Sequence, residues 1–179
     1  IAKKIKIKFI TTPLDINSLK KIQKYLNAIK IASSDNNFYY LIELAIKTKK
    51  EVIISLGLTN SKDVLILKRK IISLIKKYNF SYQKISFLHC VTNYPVQDED
   101  VNLKVIESLK KILKPFKVGY SDHSIGNEAC LAAVSLGASM IEKHFTINKK
   151  FSSFREHKLS ADYDDMKNLV ISIRKIEKQ

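Results

Sequence analysis

Residues 119–124 read Gly119-Tyr120-Ser121-Asp122-His123-Ser124. They end a short β-branched and aromatic run, Phe116–Tyr120, in a cluster of hydroxyl, carboxylate and imidazole side chains. A strand that opens into reactive residue types belongs to a sheet whose C-terminal edge carries chemistry. The same texture recurs along the chain. Apolar runs over Ile5–Ile10, Ala28–Ala32, Glu51–Leu56, Ile85–Cys90 and Ser139–Phe145 read as further strands. The first exits through Thr11-Thr12-Pro13, and the second contains Lys30 and exits through Ser33-Ser34-Asp35. The third has Ser55 before Gly57, and the fourth gives His89-Cys90-Val91-Thr92-Asn93-Tyr94-Pro95. The last gives Glu142-Lys143-His144-Phe145-Thr146.

Between these runs the apolar residues return at helical spacing, as in Leu14, Ile16, Leu19, Ile22, Leu26 and in Val64, Leu67, Ile71, Leu74, Ile75. The closing segment repeats it with Met166, Leu169, Val170, Ile173 and Ile176. Asp15, Ser61 and Asp162 stand where side-chain oxygens cap free N–H groups. Gly137 stands where a helix ends in a left-handed residue. Six strands, each followed by a helix and starting roughly 20–35 residues apart, predict right-handed βαβ crossovers and a parallel sheet. That sheet is either open and doubly wound or part of a (β/α)₈ barrel. No GxGxxG or GxxxxGK[ST] loop follows a strand, which disfavours nucleotide-binding versions.

The chain has 179 residues, one domain or a large piece of one at ~150 residues per domain. Apolar residues at 45% and charged residues at 27% are globular composition, not that of a disordered chain. No apolar run is long enough to span a bilayer and no signal segment opens the chain, so a cytoplasmic protein is expected. Two cysteines, Cys90 and Cys130, read as reduced thiols. The net charge of +15 admits nucleic acid, a membrane surface or an anionic small substrate, and its distribution weakens the first two. Lysines are scattered through nearly every segment, and arginine occurs only at Arg69, Arg155 and Arg174, which speaks against reading of base edges. The basic excess fits an AT-rich coding bias as its simplest source.

A closed barrel would bring every strand exit to one mouth. Short hydroxyl donors plus one lysine are what a phosphate requires, and Thr12, Lys30, Ser33, Ser55, Thr92 and Ser121 fit that part. Singly, each also reads as a turn or cap residue. His123 and His144 end consecutive strands, and neighbouring parallel strands lie ~4.8 Å apart. Two such imidazoles either share a divalent ion with water or substrate oxygens, or serve as hydrogen-bonded structure. His89 reads as a packed interior histidine. Arg155, Glu156 and His157 either cover the mouth or form a solvated charged loop.

The blocks at His89–Pro95, Gly119–Ser124 and Glu142–Thr146 resemble the HCxxxYP, G[YL]SDH[TS] and E[KR]HFT blocks of the sialic acid synthase family. This family comprises N-acetylneuraminate synthases with their legionaminate and pseudaminate relatives. Phe9–Asp15 is similar to its F[LI]STPFD strand, Lys30–Ser33 to its KI[AP]S strand, and Ile53–Gly57 to its ILSTG strand. The resemblance implies a (β/α)₈ barrel, of which the six strands would be the third to the eighth. The first two βα units and a C-terminal antifreeze-like domain would then be missing, leaving a fragment inactive by itself. It implies condensation of phosphoenolpyruvate with a 2-acetamido sugar, N-acetylmannosamine or a diacetamido-trideoxy hexose, with C–O cleavage releasing phosphate. A divalent metal, most often Mn²⁺ with Mg²⁺ or Co²⁺ as alternatives, would assist, and the full-length protein would be a homodimer.

By position, His123 and His144 would be the metal ligands, and Thr12, Lys30, Ser33, Ser55, Thr92 and Ser121 would hold phosphoenolpyruvate. Tyr94 would line the sugar pocket. Asp35, where the family usually has Glu, and Glu156, where it usually has Asp, would be the catalytic carboxylates. Two other readings compete: a Schiff-base aldolase with Lys30 as nucleophile, and a non-catalytic basic binding protein.

Overall fold

Strands and helices alternate in the computed structural model, which describes residues 1–179. The strands are β1 (Ile10–Thr11), β2 (Ala28–Ile31), β3 (Glu51–Ser55), β4 (Ile85–His89), β5 (Lys117–Asp122) and β6 (Ile141–Lys143). The helices are α1 (Ile16–Ile22), α2 (Tyr39–Lys47), α3 (Ser61–Tyr78), α4 (Val105–Leu113), α5 (Glu128–Ser135), α6 (Glu156–Leu159) and α7 (Tyr163–Ile176). The strands follow one another in the sheet in chain order, and the β1–β2, β2–β3 and β5–β6 pairs are parallel. Six consecutive βα units in this order make a partial (β/α)₈ barrel, the second of the two sheet types open to the sequence. The chain divides into two compact units, Ile1–Phe87 with Leu113–Lys117, and Leu88–Ile112 with Val118–Gln179.

In the first unit the helix signals act locally. The Asp15 carboxylate accepts the Asn17 and Ser18 N–H groups at 2.7 and 2.9 Å and starts α1. For α3 the cap is Asn60, not the expected Ser61. Asn60 is extended, its side-chain oxygen accepts from Lys62 and Asp63, and the Asp63 carboxylate accepts the Asn60 N–H in return. Ser61 already lies inside the helix. Val64, Leu67, Ile71, Leu74 and Ile75 are buried on one face of α3, as their spacing dictates. Asn79 ends the helix in the left-handed region at φ 45°. Several lysines act as clasps: Lys50 Nζ donates to the Leu26 carbonyl at 2.6 Å, and Lys84 Nζ to the Lys49 carbonyl at 2.8 Å.

The first strand is shorter than the run Ile5–Ile10. Residues 2–6 form turns, Lys6 has φ 57°, and pairing begins only where Phe9 and Asn27 exchange bonds. The Asn27 side chain takes the Phe9 N–H at 2.8 Å. Ile5, Ile7, Phe9 and Ile10 are left exposed.

In the second unit, β5 runs two residues beyond the expected Phe116–Tyr120, to Asp122, and β6 is confined to the middle of Ser139–Phe145. The chain past Lys143 changes partner. The Ala161 N–H donates to the His144 carbonyl at 2.8 Å, and the Thr146 N–H to the Ala161 carbonyl at 2.9 Å. Gly119 is needed for close approach. A Cβ there would lie 2.5 Å from the Met140 carbonyl oxygen and 2.8 Å from Leu88 Cδ2. Gly137 follows α5 at φ 84°, the left-handed turn its position predicts. Asp162 caps α7 through the Asp165 N–H, with Asp165 returning the bond, and α7 packs on α5. Both cysteines are buried, and neither forms a disulfide. No helix is long and apolar enough to cross a membrane.

Candidate active site

The expected site residues fall into two groups, one in each unit. In the first unit, the Ser33 hydroxyl accepts the Gly57 N–H at 3.1 Å. The buried Asn36 amide donates to the carbonyls of Ser55 and Gly57 at 3.3 and 3.1 Å. These bonds hold the exits of β2 and β3 side by side. Thr12, Lys30 and Asp35 are half-buried at the ends of β1 and β2 or just beyond them. Ser55, by contrast, is 2% exposed, and its hydroxyl has no hydrogen-bond partner. Asp35 Oδ2 is likewise buried and unpartnered. Buried polar atoms are rarely orphaned, and one lying at a strand exit is a place for a ligand to bond.

The second unit brings Tyr94, His123, His144, Arg155 and Glu156 together. The β5–β6 register sets Ser121 against Glu142 and Asp122 against Lys143, so the next residues, His123 and His144, leave the sheet as neighbours. Their ring centroids are 5.4 Å apart at 70°. His123 Nδ1 lies 2.6 Å from the Val91 carbonyl. A carbonyl only accepts, so Nδ1 carries the proton and Nε2 keeps its lone pair. Burial holds the His123 pKa below the ordinary histidine value, despite the opposing Val91 bond, and this favours the neutral imidazole. His144 Nδ1 is 3.5 Å from Glu156 Oε2, and both side chains are about one-third exposed.

The Tyr94 ring packs against both imidazoles, and the Arg155 guanidinium lies 5.4 Å over its face. Burial, first, and nearby carboxylates raise the Tyr94 pKa, so it remains a neutral phenol. Thr92 is half-buried in the loop after β4. Ser121, 3% exposed, donates to Glu142 at 2.6 Å. His157 sits in the short α6, its Nδ1 2.9 Å from the Thr146 hydroxyl, so that loop is structured rather than merely solvated. His89 is the interior histidine expected. It stacks on Tyr120, and its Nε2 lies 2.9 Å from the Val101 carbonyl.

Two further partnerships escaped the sequence. One is the Ser121–Glu142 bond. The other is the buried ion pair of Asp122 and Lys143, 2.6 Å apart. Both follow from the strand register, with alternate residues on opposite faces, once β5 and β6 are known to pair in parallel.

The side chains alone assemble no group of three or more His, Cys, Asp or Glu able to hold a metal ion. The two imidazoles nevertheless suit one. His123 has its proton fixed on the nitrogen that faces Val91, as metal-ligating histidines generally do, and the remaining ligands would be water or substrate oxygens.

The model of the NeuB family matches residues 1–179. The chain belongs to the NeuB family. It is 42% identical over 178 residues to an uncharacterized protein of Methanocaldococcus jannaschii. It is 40% identical over 179 residues to an N,N'-diacetyllegionaminic acid synthase of Campylobacter jejuni. Each match covers 99% of this chain but 50% and 52% of the relative, so the chain spans about half the length of these NeuB relatives. Among solved structures, the N-acetylneuraminic acid (sialic acid) synthetase of Leptospira borgpetersenii, in complex with citrate, superposes with a TM-score of 0.87. It is 33% identical, and the match covers 99% of this chain and 59% of that one.

Proposed function

We propose that this chain contributes much of the active site of a nonulosonic acid synthase, which condenses phosphoenolpyruvate and water with the open-chain aldehyde of a 2-acetamido sugar, the water adding at C2 as phosphate leaves by C–O cleavage. The observation that carries the reading is the His123–His144 pair at the exits of β5 and β6 in a NeuB family chain. The relatives' names support the reaction class, since a diacetyllegionaminic acid synthase and a sialic acid synthetase make acids of this kind.

Each group of residues takes a distinct part. The orphaned Ser55 hydroxyl is free to donate to a phosphate or carboxylate oxygen, and Lys30, Ser33, Thr12, Thr92 and Ser121 are the further residues that would contact phosphoenolpyruvate. Fixed donors of this kind hold the attacking C3 of phosphoenolpyruvate in line. Tyr94 and Arg155 form a wall against which the sugar lies. Asp35, with one buried oxygen unpartnered, and Glu156, beside His144, would hold sugar hydroxyls or move protons. His123 and His144 would hold a divalent metal, Mn²⁺ by preference, which would polarise the aldehyde oxygen as a Lewis acid. We further propose that the catalytic set needs residues beyond this chain, so these 179 residues alone lack activity.

The test follows phosphate release from phosphoenolpyruvate by the full gene product, with a panel of 2-acetamido sugars, with Mn²⁺ or EDTA, and with His123→Ala. Release that needs one sugar and the metal, and is lost in the variant, supports the reading. Release indifferent to EDTA would sink it. A covalent adduct trapped by borohydride on Lys30 would favour the aldolase instead.

A further inference from the structure

We propose that the buried Asp122–Lys143 ion pair is a positioning device that fixes His123 and His144 relative to one another for divalent metal binding. The inference rests on the metal reading of the two histidines given above.

Each partner of the pair immediately precedes one of the histidines. Alternation along the strands puts Asp122 and Lys143 on the face of β5 and β6 opposite to Ser121, Glu142 and the two imidazoles. The pair is therefore behind the site and touches nothing that binds there. Its side chains are 0% and 2% exposed.

The bonding is directional. Asp122 Oδ1 accepts the Tyr120 hydroxyl at 2.9 Å, the Ser124 N–H at 2.9 Å and the Ser124 hydroxyl at 2.7 Å. Oδ2 accepts Lys143 Nζ at 2.6 Å and the Cys130 thiol, on α5, at 3.3 Å. Lys143 Nζ donates a second bond, to the Ser124 carbonyl, at 2.6 Å. His123 is thus bracketed by Asp122 and Ser124, both tied to one ammonium group. That ammonium belongs to the residue before His144.

Two features say that this arrangement sets geometry rather than merely adding stability. First, a buried ion pair is in general no more stabilising than apolar residues of the same volume. Second, β6 is only three residues long, and its chain leaves β5 for Ala161 directly after Lys143. The Ala161 N–H holds the His144 carbonyl on the far side, but on the β5 side so short a ladder ties His144 to His123 only weakly. The Lys143 clasp supplies two further bonds across β5 and β6 at the point where the ladder stops.

The experiment uses the full gene product with both charges removed, Asp122→Asn with Lys143→Met. This keeps shape and leaves no lone buried charge. Three quantities are read: thermal midpoint, Co²⁺ or Mn²⁺ affinity by calorimetry, and the visible spectrum of bound Co²⁺. A variant that melts near the wild type, binds Co²⁺ about 10–100-fold more weakly and shows an altered ligand-field spectrum supports the proposal. A folded variant with unchanged affinity and spectrum overturns it. Should the double variant fail to fold, Lys143→Arg keeps the charge but not the twin bonds of Nζ. Weaker Co²⁺ binding by this folded variant supports the proposal, and unchanged binding overturns it. His123→Ala/His144→Ala is measured alongside. Metal binding that survives loss of both histidines overturns the metal reading itself, whereas binding lost there but unchanged in the ion-pair variants overturns only the positioning role.

Discussion

The Tyr94 ring packs on the His123 imidazole with centroids 4.1 Å apart, and the same ring meets His144 edge-on at 5.8 Å. One aromatic plane therefore limits the tilt of both histidines. An aromatic pair is worth about 0.5–1.5 kcal/mol beyond its buried area. Tyr94→Phe keeps the plane and should leave Co²⁺ affinity and the Co²⁺ spectrum near wild type. Tyr94→Ala should weaken the metal severalfold by calorimetry. Equal behaviour of the two variants would remove the packing role.

His144 carries about one-third of its side chain in solvent, with the Glu156 carboxylate 3.5 Å from its Nδ1. Its replacement by Ala should lower the unfolding free energy by only about 0.5–1.5 kcal/mol, the scale of its edge-on contact with Tyr94. Metal-dependent phosphate release should fall on the order of 10²-fold or more, as when one transition-state electrostatic group is removed. A matched loss of both stability and activity would count against a site-specific role.

Gly119→Ala tests how closely β5 and β6 approach. The new methyl group meets the Met140 carbonyl, which is itself held at 2.8 Å by the Tyr120 N–H and cannot retreat. Overpacking of this kind costs about 1–3 kcal/mol. Chemical denaturation should show the loss as a lower midpoint at unchanged slope. A neutral result would mean that the strands separate at no cost.

Burial lowers the pKa of His89 below the ordinary value of 6.5, outweighing the bond to the Val101 carbonyl. The sign follows directly. The unfolded chain binds the proton more readily, so the stability contributed by neutral His89 is present above pH 6.5 and is lost as pH falls toward the folded-state pKa. The thermal midpoint should drop as pH falls below 6.5, and His89→Gln, which cannot charge, should shallow that drop. His123 is shifted the same way and will account for a residual slope. An unchanged profile in the His89 variant would show that His89 is not the group responsible.

Much of this fold was legible because its signals are local. Asp15 and Asp162 cap where a carboxylate before a helical run must, and the face of α3 from Val64 to Ile75 follows from spacing alone. The histidine pair was also legible, since two strand exits in consecutive βα units have to be neighbours. What was hidden depends on register or on competition between adjacent groups. Asn60 outdoes Ser61 as a cap because it reaches two N–H groups and is answered by Asp63. The run Ile5–Ile10 looks like a strand, but alternating apolar residues make one only where a neighbour supplies bonds, and the partner begins at Asn27. Lys143 reads as a surface lysine until β6 is laid against β5 in a register that points its ammonium at Asp122.

Exposed Ile5, Ile7, Phe9 and Ile10 make the margin of β1 a sticky strip on a polypeptide carrying a charge of +15. The two properties act over different ranges. Mutual repulsion reaches many ångströms in dilute buffer, whereas apolar adhesion needs contact. The 179-residue chain by itself should therefore be colloidally stable at low ionic strength and cluster as salt shortens the Debye length to about 10 Å at 0.1 M. Its light-scattering second virial coefficient should pass from positive to negative across that range, and Ile7→Lys should delay the crossing.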